Sequence, residues 1–441
     1  MDWQGKKILT FVALPYHDRI LGPVMDALKA QGAEVTVFTV PAEAAFEITL
    51  REKGTPYLHA YDYFNRESVR QKIDRAWISL DAEWGKRFVQ SETLQLVPLT
   101  IQDKVMRGIV ENFYCFEQML DEEKPDAIFA LHELNSWGKM LGYWADQKGV
   151  PYFTFQEGLC YAHPFLYNAY VEFSTAVFAW GEREKQMLIG QSGDPHKVHC
   201  VGSVDLWPAK ERAFAPDVLA KTKQDLIGLE EGMTVILFLM AYANYTTLNL
   251  GLFGSWFVKR GNTALVFKWH PALGRDVVEK ATLQIKSTPF VYHTQDYDTY
   301  ALMALADACV VVGNTTTGIE ALVFGKPLVE VKLPGQVEDY SSKGVCVEAS
   351  DWQVLSDMVE DVLKNGVPPD RQAKIDAYLA ETFAYQDSHT VPRVMAVVDR
   401  CMEESYERAK TEGQASWHNG HDHDWQEEQK SQSPGVAGAQ A

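Results

Sequence analysis

The sequence has no C-x-x-C pair. Its six cysteines, at 115, 160, 200, 309, 346 and 401, sit mostly in apolar surroundings. That argues against a disulfide frame or a zinc site and predicts buried thiols in a reducing compartment. Positive charge is also scarce: 41 Lys and Arg stand against 60 Asp and Glu, a formal net charge of -19. Such a chain has no general electrostatic pull on nucleic acid or anionic lipid, which leaves only local basic pockets. No apolar run approaches the ~20 residues of a membrane-spanning helix. The opening "MDWQGKKILTFVALPYHD" turns polar too soon for a signal peptide. The expectation is a cytoplasmic protein, with peripheral association with a membrane synthesis complex at the inner membrane left open. A P-loop, a G-x-G-x-x-G after the first strand and a G-x-S-x-G are missing as well.

What is present is a repeated strand–helix rhythm over 441 residues, too long for one ordinary core. "KKILTFVAL" reads as a buried parallel strand, "GPVMDALKAQG" as a helix stopped by Gly32, and "EVTVFTV" as the next strand. This βαβ opening predicts an α/β fold with a doubly wound, Rossmann-like sheet. The pattern turns helical and aromatic at about 43–123, then resumes with "DAIFAL", "VPYFTFQEG" and "TAVFAWG". A second series begins at "TVILFLMA" and runs through "TALVFKWHP" and "ACVVVG" to "KPLVEV". The expected organisation is an N-terminal Rossmann-like domain over 1–203 with a helical insertion at about 43–123. A linker follows at 204–216, then a C-terminal Rossmann-like domain over 217–383, a final helix over 384–410 and a disordered tail over 411–441. Two such domains facing a cleft would make the GT-B architecture.

Four stretches carry chemistry. In "VVVGNTTTGIEALVFGKPLVEV", a buried strand meets a turn of Asn314, Thr315, Thr316, Thr317 and Gly318 before a helix. A helix start above a strand's carboxyl end suits a phosphate, with threonine hydroxyls as donors and Gly318 allowing close approach. The same residues also spell a capping box, with Glu320 returning to the backbone of Thr317. In "FKWHP", His270 sits at a strand's carboxyl end, placed to donate to a phosphate oxygen, with Lys268 adding charge. A satisfied structural histidine is the other reading. In "FTFQEGL", Glu157 follows a buried aromatic strand. It is expected either as a general base with a raised pKa or as an ordinary acid near a helix start, with Tyr161, His163 and Pro164 behind it. In "LPYHDRILGP", His17, Asp18 and Arg19 are placed in a loop facing the cleft, where His17 and Asp18 are acceptor-side candidates. Asp296 and Asp298 mimic a metal-binding D-x-D, but Asp298 reads better as a helix N-cap. His418, His421 and His423 lie in the tail and receive no role.

The stretch from Asp298 to Val331 resembles the C-terminal nucleotide-binding region of bacterial capsule and surface-polysaccharide GT-B glycosyltransferases. The order of motifs is similar to that of capsule Kdo transferases and sialyltransferase-like enzymes: an acidic Gly motif, a His-Pro motif, then a Ser/Thr motif. The resemblance implies Glu157 as general base, His270 as phosphate ligand and Thr315 to Thr317 as the phosphate turn. The sequence departs from the family at Gln156, where another acid is often found. The expected function is therefore transfer of a sugar from a nucleotide-sugar donor, CMP- or UDP-linked, to a glycan or lipid-linked acceptor in surface-polysaccharide synthesis. No cofactor or metal is expected to be required. Glu320 is placed to accept ribose hydroxyls. The rivals are a non-hydrolysing UDP-sugar 2-epimerase, a CDP-glycerol-type transferase and a non-catalytic nucleotide-sugar or glycan-binding scaffold.

Overall fold

The computed structural model describes residues 1–40, 50–52, 54–90, 99–160, 171–190, 193–226, 228–241, 259–270, 290–294, 297–313, 315–332, 340–350 and 352–411, with a few isolated positions besides. Asn314, Tyr161, His163, Pro164, Asp296 and the tail histidines lie outside the described residues.

Apolar runs form the strands because each is buried on both faces. The first sheet holds β1 (Lys7–Phe11), β2 (Glu34–Thr39), β3 (Tyr57–His59), β4 (Ala127–Ala130), β5 (Tyr152–Phe155), β6 (Ala176–Ala179) and β7 (Val198–Cys200). Their spatial order is β3-β2-β1-β4-β5-β6-β7, with every pairing parallel. The second sheet holds β8 (Thr234–Met240), β9 (Thr263–Lys268), β10 (Val291–Thr294), β11 (Ala308–Val312), β12 (Leu328–Val331) and β13 (Val347–Ala349). It runs β10-β9-β8-β11-β12-β13, again all parallel. Both are doubly wound α/β sheets, as the strand–helix rhythm predicts. In each, strand order reverses beside the first strand, between β1 and β4 and between β8 and β11. Crevices at the carboxyl ends of such reversals are where these folds take ligands.

All five residues of β11 are buried, and each fully buried Val contributes roughly 1.5–3 kcal/mol. That anchorage fixes where the chain must turn, at Gly313 with φ 78°, a backbone conformation natural to glycine. The strand therefore presents the threonines at its carboxyl end.

The secondary structure departs from the sequence reading at several places. Helix α1 spans Pro15–Ala30, so it starts seven residues before Gly22. Pro15 at its first position has φ preset for a helix, and Asp18 lies in the first turn, where its charge suits the dipole. His17, Asp18 and Arg19 thus belong to the start of α1 and not to a loop. Within the helical insertion stand α2 (Ala60–Phe64), α3 (Glu67–Gln90) and α4 (Leu99–Glu123), but β3 also lies there and pairs with β2. Its three residues are only half-buried, too short and too polar a signal for periodicity to find.

Further helices are α5 (Ser136–Lys148), α6 (Glu182–Ile189), α7 (Leu206–Ala213) and α8 (Pro216–Asp225), the last two occupying and following the stretch read as a linker. Then come α9 (Thr299–Leu305), α10 (Thr317–Val323), α11 (Trp352–Asn365), α12 (Pro369–Thr382) and α13 (Thr390–Thr411). Asp298 caps α9, its side chain accepting the Tyr300 N–H at 2.9 Å, as its position suggests. The last helix returns to the first sheet. Val394, Met395, Val398, Cys401 and Met402 bury a stripe against a core that includes Trp3, Ile8 and Phe178. Trp3 Nε1–H donates to Asp399 at 2.8 Å, and the Tyr406 hydroxyl donates to Asp126 at 3.0 Å. Among the described residues no helix is long and apolar enough to cross a membrane.

Candidate functional site

The first side of the cleft grows from β1, β4 and β5. Past β1, the Ala13 N–H donates to Nδ1 of His17 at 3.3 Å, which leaves the ring proton on Nε2. Burial pushes His17 down to about 4, with Glu157 pulling it upward, so the ring is neutral near pH 7. Past β4, His132 places Nε2 2.6 Å from Oε2 of Glu157. Its Nδ1 accepts the Leu134 N–H at 3.2 Å.

Glu157 follows β5. Burial disfavours its charge, but hydrogen bonds from His132 and Tyr16 outweigh that and hold its carboxyl below the usual carboxylate range. The raised pKa expected for Glu157 is therefore reversed: the strand end is apolar, but two donors converge on the oxygens.

Gln156 has a defined task. Its Nε2–H₂ donates to Gly158 O at 2.8 Å and to Glu184 Oε2 at 2.7 Å. Its Oε1 accepts the Trp180 N–H at 2.8 Å. An acid at this position would leave the Gly158 carbonyl without that donor and would confront the buried Glu184. Glu184 also accepts the Cys160 N–H at 2.7 Å and pairs with Arg183. The amide thus staples the turn that carries Glu157.

The second side grows from β9 and β11. Lys268 ends β9 and is buried, and His270 follows. Burial and the Lys268 charge push His270 below the ordinary histidine range, while Glu157 opposes the shift from across the cleft. Past β11, the Thr315 and Thr317 hydroxyls lie 3.0 Å apart, and the Tyr340 hydroxyl donates to Thr315 O at 2.7 Å.

The capping box does not form. Thr316 is the N-cap of α10 and makes no side-chain cap, Thr317 is already helical, and the Glu320 carboxylate turns elsewhere. Gly318 does not open the backbone to a ligand on its Cβ side, because an added Cβ would meet the Tyr340 ring at 2.3 Å. The glycine makes room for that ring.

The two sides touch. Leu159 N–H donates to Thr316 Oγ1 at 3.1 Å. The structure thus brings Glu157, His270 and the threonine turn to one place, while Asp18 stands in the first turn of α1. A Cβ on Gly158 would lie 2.6 Å from Thr316 Oγ1, and a threonine is stiff at χ1. Gly158→Ala should therefore part the turns. A misplacement of about 1 Å can cost ~10²-fold in rate, to be read as kcat/KM at unchanged thermal unfolding.

Beside the cleft, Arg19 Nε pairs with Asp205 Oδ2 at 2.7 Å, and its guanidinium lies 4.9 Å from the Tyr300 ring centroid. The Tyr300 hydroxyl lies 3.1 Å from Glu320 Oε1 and 3.3 Å from Asp205 Oδ2. Burial lifts Glu320 to about 7; Arg19 and the Tyr300 hydrogen bond pull it down, and Asp205 pushes it up.

Sequence reasoning missed His132, Tyr16, Asp205 and Tyr300 as part of this constellation. His132 carried a usable signal, since it follows "DAIFAL" as Glu157 follows its strand. Tyr300 and Asp205 carried none, being joined only by the fold. Among the described residues no group of three or more His, Cys, Asp or Glu is placed to hold a metal ion.

Comparison with known proteins follows the fold. No family model and no curated protein matches the chain. Among solved structures, UDP-GlcNAc 2-epimerase from Neisseria meningitidis, bound to UDP-GlcNAc, superposes with a TM-score of 0.61 at 14% identity, covering 89% of this chain and 100% of its own. UDP-GlcNAc 2-epimerase from Methanocaldococcus jannaschii, in complex with UDP-GlcNAc and UDP, gives 0.58 at 14%, covering 89% and 99%. A glycosyltransferase from Rickettsia africae gives 0.54 at 13%, covering 91% and 99%. At these identities the likeness concerns architecture, and the chain has the GT-B-type fold of two Rossmann-like domains that these epimerases and this glycosyltransferase share.

Proposed function

We propose that this chain is a nucleotide-sugar-dependent glycosyltransferase acting in surface-polysaccharide synthesis, as its motif order suggests. The observation that carries the reading is the Leu159–Thr316 hydrogen bond, which joins the Glu157 turn to the threonine turn across the cleft. Acceptor chemistry and donor phosphate then have neighbouring seats. Glu157 takes the proton of the acceptor hydroxyl as its oxygen bonds to the anomeric carbon. The bond from that carbon to the phosphate oxygen breaks, and the nucleotide leaves with the electron pair. His270, neutral and donating an N–H, receives the growing charge with Lys268 and the threonine hydroxyls. The donor is CMP- or UDP-linked and the acceptor a glycan or lipid-linked sugar, with no metal required. Peripheral placement at the inner membrane fits such an acceptor. Glu320, expected to accept ribose hydroxyls, would first have to exchange its Tyr300 bond.

A 2-epimerase is the second reading, favoured by the fold likeness to enzymes seen with UDP-GlcNAc. Inversion at C2 needs proton removal from one face and return on the other, hence more than one acid–base group at the sugar. Of the buried carboxylates, Glu133 is spent on the backbone of Phe173 and Ser174, Glu184 on Gln156 and Cys160, Asp205 on Arg19, Glu320 on Tyr300, and Glu330 on the backbone of Tyr340 and Ser341. Glu157 acts on His270 from across the cleft, which suits a single deprotonation at the acceptor. Incubation with CMP-, UDP-, GDP- and CDP-linked sugars separates the readings. Transfer predicts nucleotide release that depends on acceptor. A C2 epimer formed without acceptor would replace it, and binding without turnover would leave a scaffold.

A further inference from the structure

We propose that His132 is a positioning residue that fixes Glu157 as the proton acceptor of the cleft, acting through a single locked Nε2–H donor. The inference rests on Glu157 being the base in the reading above. The argument is one of valence. Nδ1 of His132 accepts the Leu134 N–H at 3.2 Å, and a ring nitrogen that accepts carries no proton. The proton therefore sits on Nε2, which lies 2.6 Å from Glu157 Oε2. In this state the ring donates to Glu157 and has no second nitrogen through which to pass a proton onward. A ring flip would break both bonds at once.

The backbone under the ring is held just as tightly. Glu133, fully buried, accepts the N–H groups of Phe173 and Ser174 and the Ser174 hydroxyl. The Asn135 side chain accepts the Gly138 N–H at 2.7 Å. A Cβ at Gly138 would sit 1.9 Å from the His132 carbonyl oxygen, so that turn closes only over glycine.

Other groups face the same carboxylate. From α1 come the Tyr16 hydroxyl, a donor to Glu157, and His17, whose Nδ1 is tied to Ala13. From the end of β9 comes His270, with Lys268 beside it. Two of these donors, Tyr16 and His132, hydrogen-bond Glu157 directly. Taking away the His132 donor leaves burial less opposed, so Glu157 should hold its proton more tightly.

Two substitutions separate donor from scaffold. In His132→Asn the side-chain oxygen takes the place of Nδ1 toward Leu134, but no N–H reaches Glu157. In His132→Gln the amide N–H lies near the position of Nε2. Glu157 is followed by carboxyl carbon NMR in glutamate-labelled protein, its signal assigned by loss in Glu157→Gln. The expected result is a titration midpoint raised by about one pH unit, roughly tenfold in proton affinity, in His132→Asn and restored in His132→Gln. An unmoved midpoint in His132→Asn overturns the proposal.

Should that variant fail to fold, ring nitrogen shifts of the unaltered protein decide: a proton on Nε2 is expected, and a proton on Nδ1 refutes the lock. These readouts need no turnover. Where transfer is measured, the acid limb of kcat/KM should move upward in His132→Asn by the same interval. A shifted NMR midpoint without any transfer activity would retire the glycosyltransferase reading and leave the His132 assignment standing.

Discussion

Glu157→Gln should lower sugar transfer by about 10²–10⁴-fold, the usual range for a lost general base, and leave donor binding nearly intact. The amide has the shape of the carboxyl it replaces. Its oxygen can still accept the His132 Nε2–H, and its nitrogen can donate to the Tyr16 oxygen, so the local network survives. What is lost is the lone pair that, in the proposed reaction, takes the acceptor's proton. In that proposal the active form of the unaltered protein is the carboxylate. His132 and Tyr16 hold its titration below the ordinary range, so kcat/KM should remain on its plateau at mildly acid pH and fall only at lower pH. Retained turnover in Glu157→Gln would remove Glu157 from the chemistry. Lost donor affinity in the same variant would move it from base to ligand.

The architecture was legible because buried parallel strands write themselves as apolar runs, and "KKILTFVAL", "TVILFLMA" and "ACVVVG" are unambiguous. The candidate site was legible where chemistry follows such a run directly, as at Glu157, His270 and the threonines. Rules of local spacing failed where tertiary contacts compete. Glu320 sits at the spacing of a capping box, yet the Tyr300 hydroxyl at 3.1 Å claims its carboxylate. Gly318 looks like space for a ligand, yet the Tyr340 ring fills it. Gln156 reads as a lost acid until its three hydrogen bonds are seen, after which an amide is the residue the position demands. The sign of the Glu157 shift was likewise hidden, because Tyr16 and His132 lie far away in the chain.

Arg19→Met should destabilise the protein by about 3 kcal/mol at pH 8 and by clearly less at pH 5. Removing one partner of a buried ion pair costs about 3–5 kcal/mol, and the Arg19 side chain, 41% exposed, belongs at the lower end. Asp205 and Glu320 are each only 7% exposed, and Arg19 is the cation acting on both.

The pH dependence follows from Glu320, whose carboxyl is raised from 4.5 to about 7. Folding then takes up a proton between those values. The favourable contribution of Glu320 is complete below about 4.5 and is lost as pH rises through about 7, a span of about 3 kcal/mol. At pH 5 Glu320 is protonated with or without Arg19, so only Asp205 loses its partner. At pH 8 the variant must either bury a second unpaired charge or hold a proton against the solvent. Denaturant midpoints at the two pH values measure the difference, and Glu320→Gln placed in the Arg19→Met background should recover only that difference at pH 8, since Asp205 still lacks Arg19, and change little at pH 5. Equal costs at both pH values would mean that Arg19 serves Asp205 alone. Because Arg19 stands on α1 while Tyr300 and Glu320 stand on α9 and α10, the same variant should also weaken nucleotide-sugar binding, by letting the two halves of the cleft lose their register.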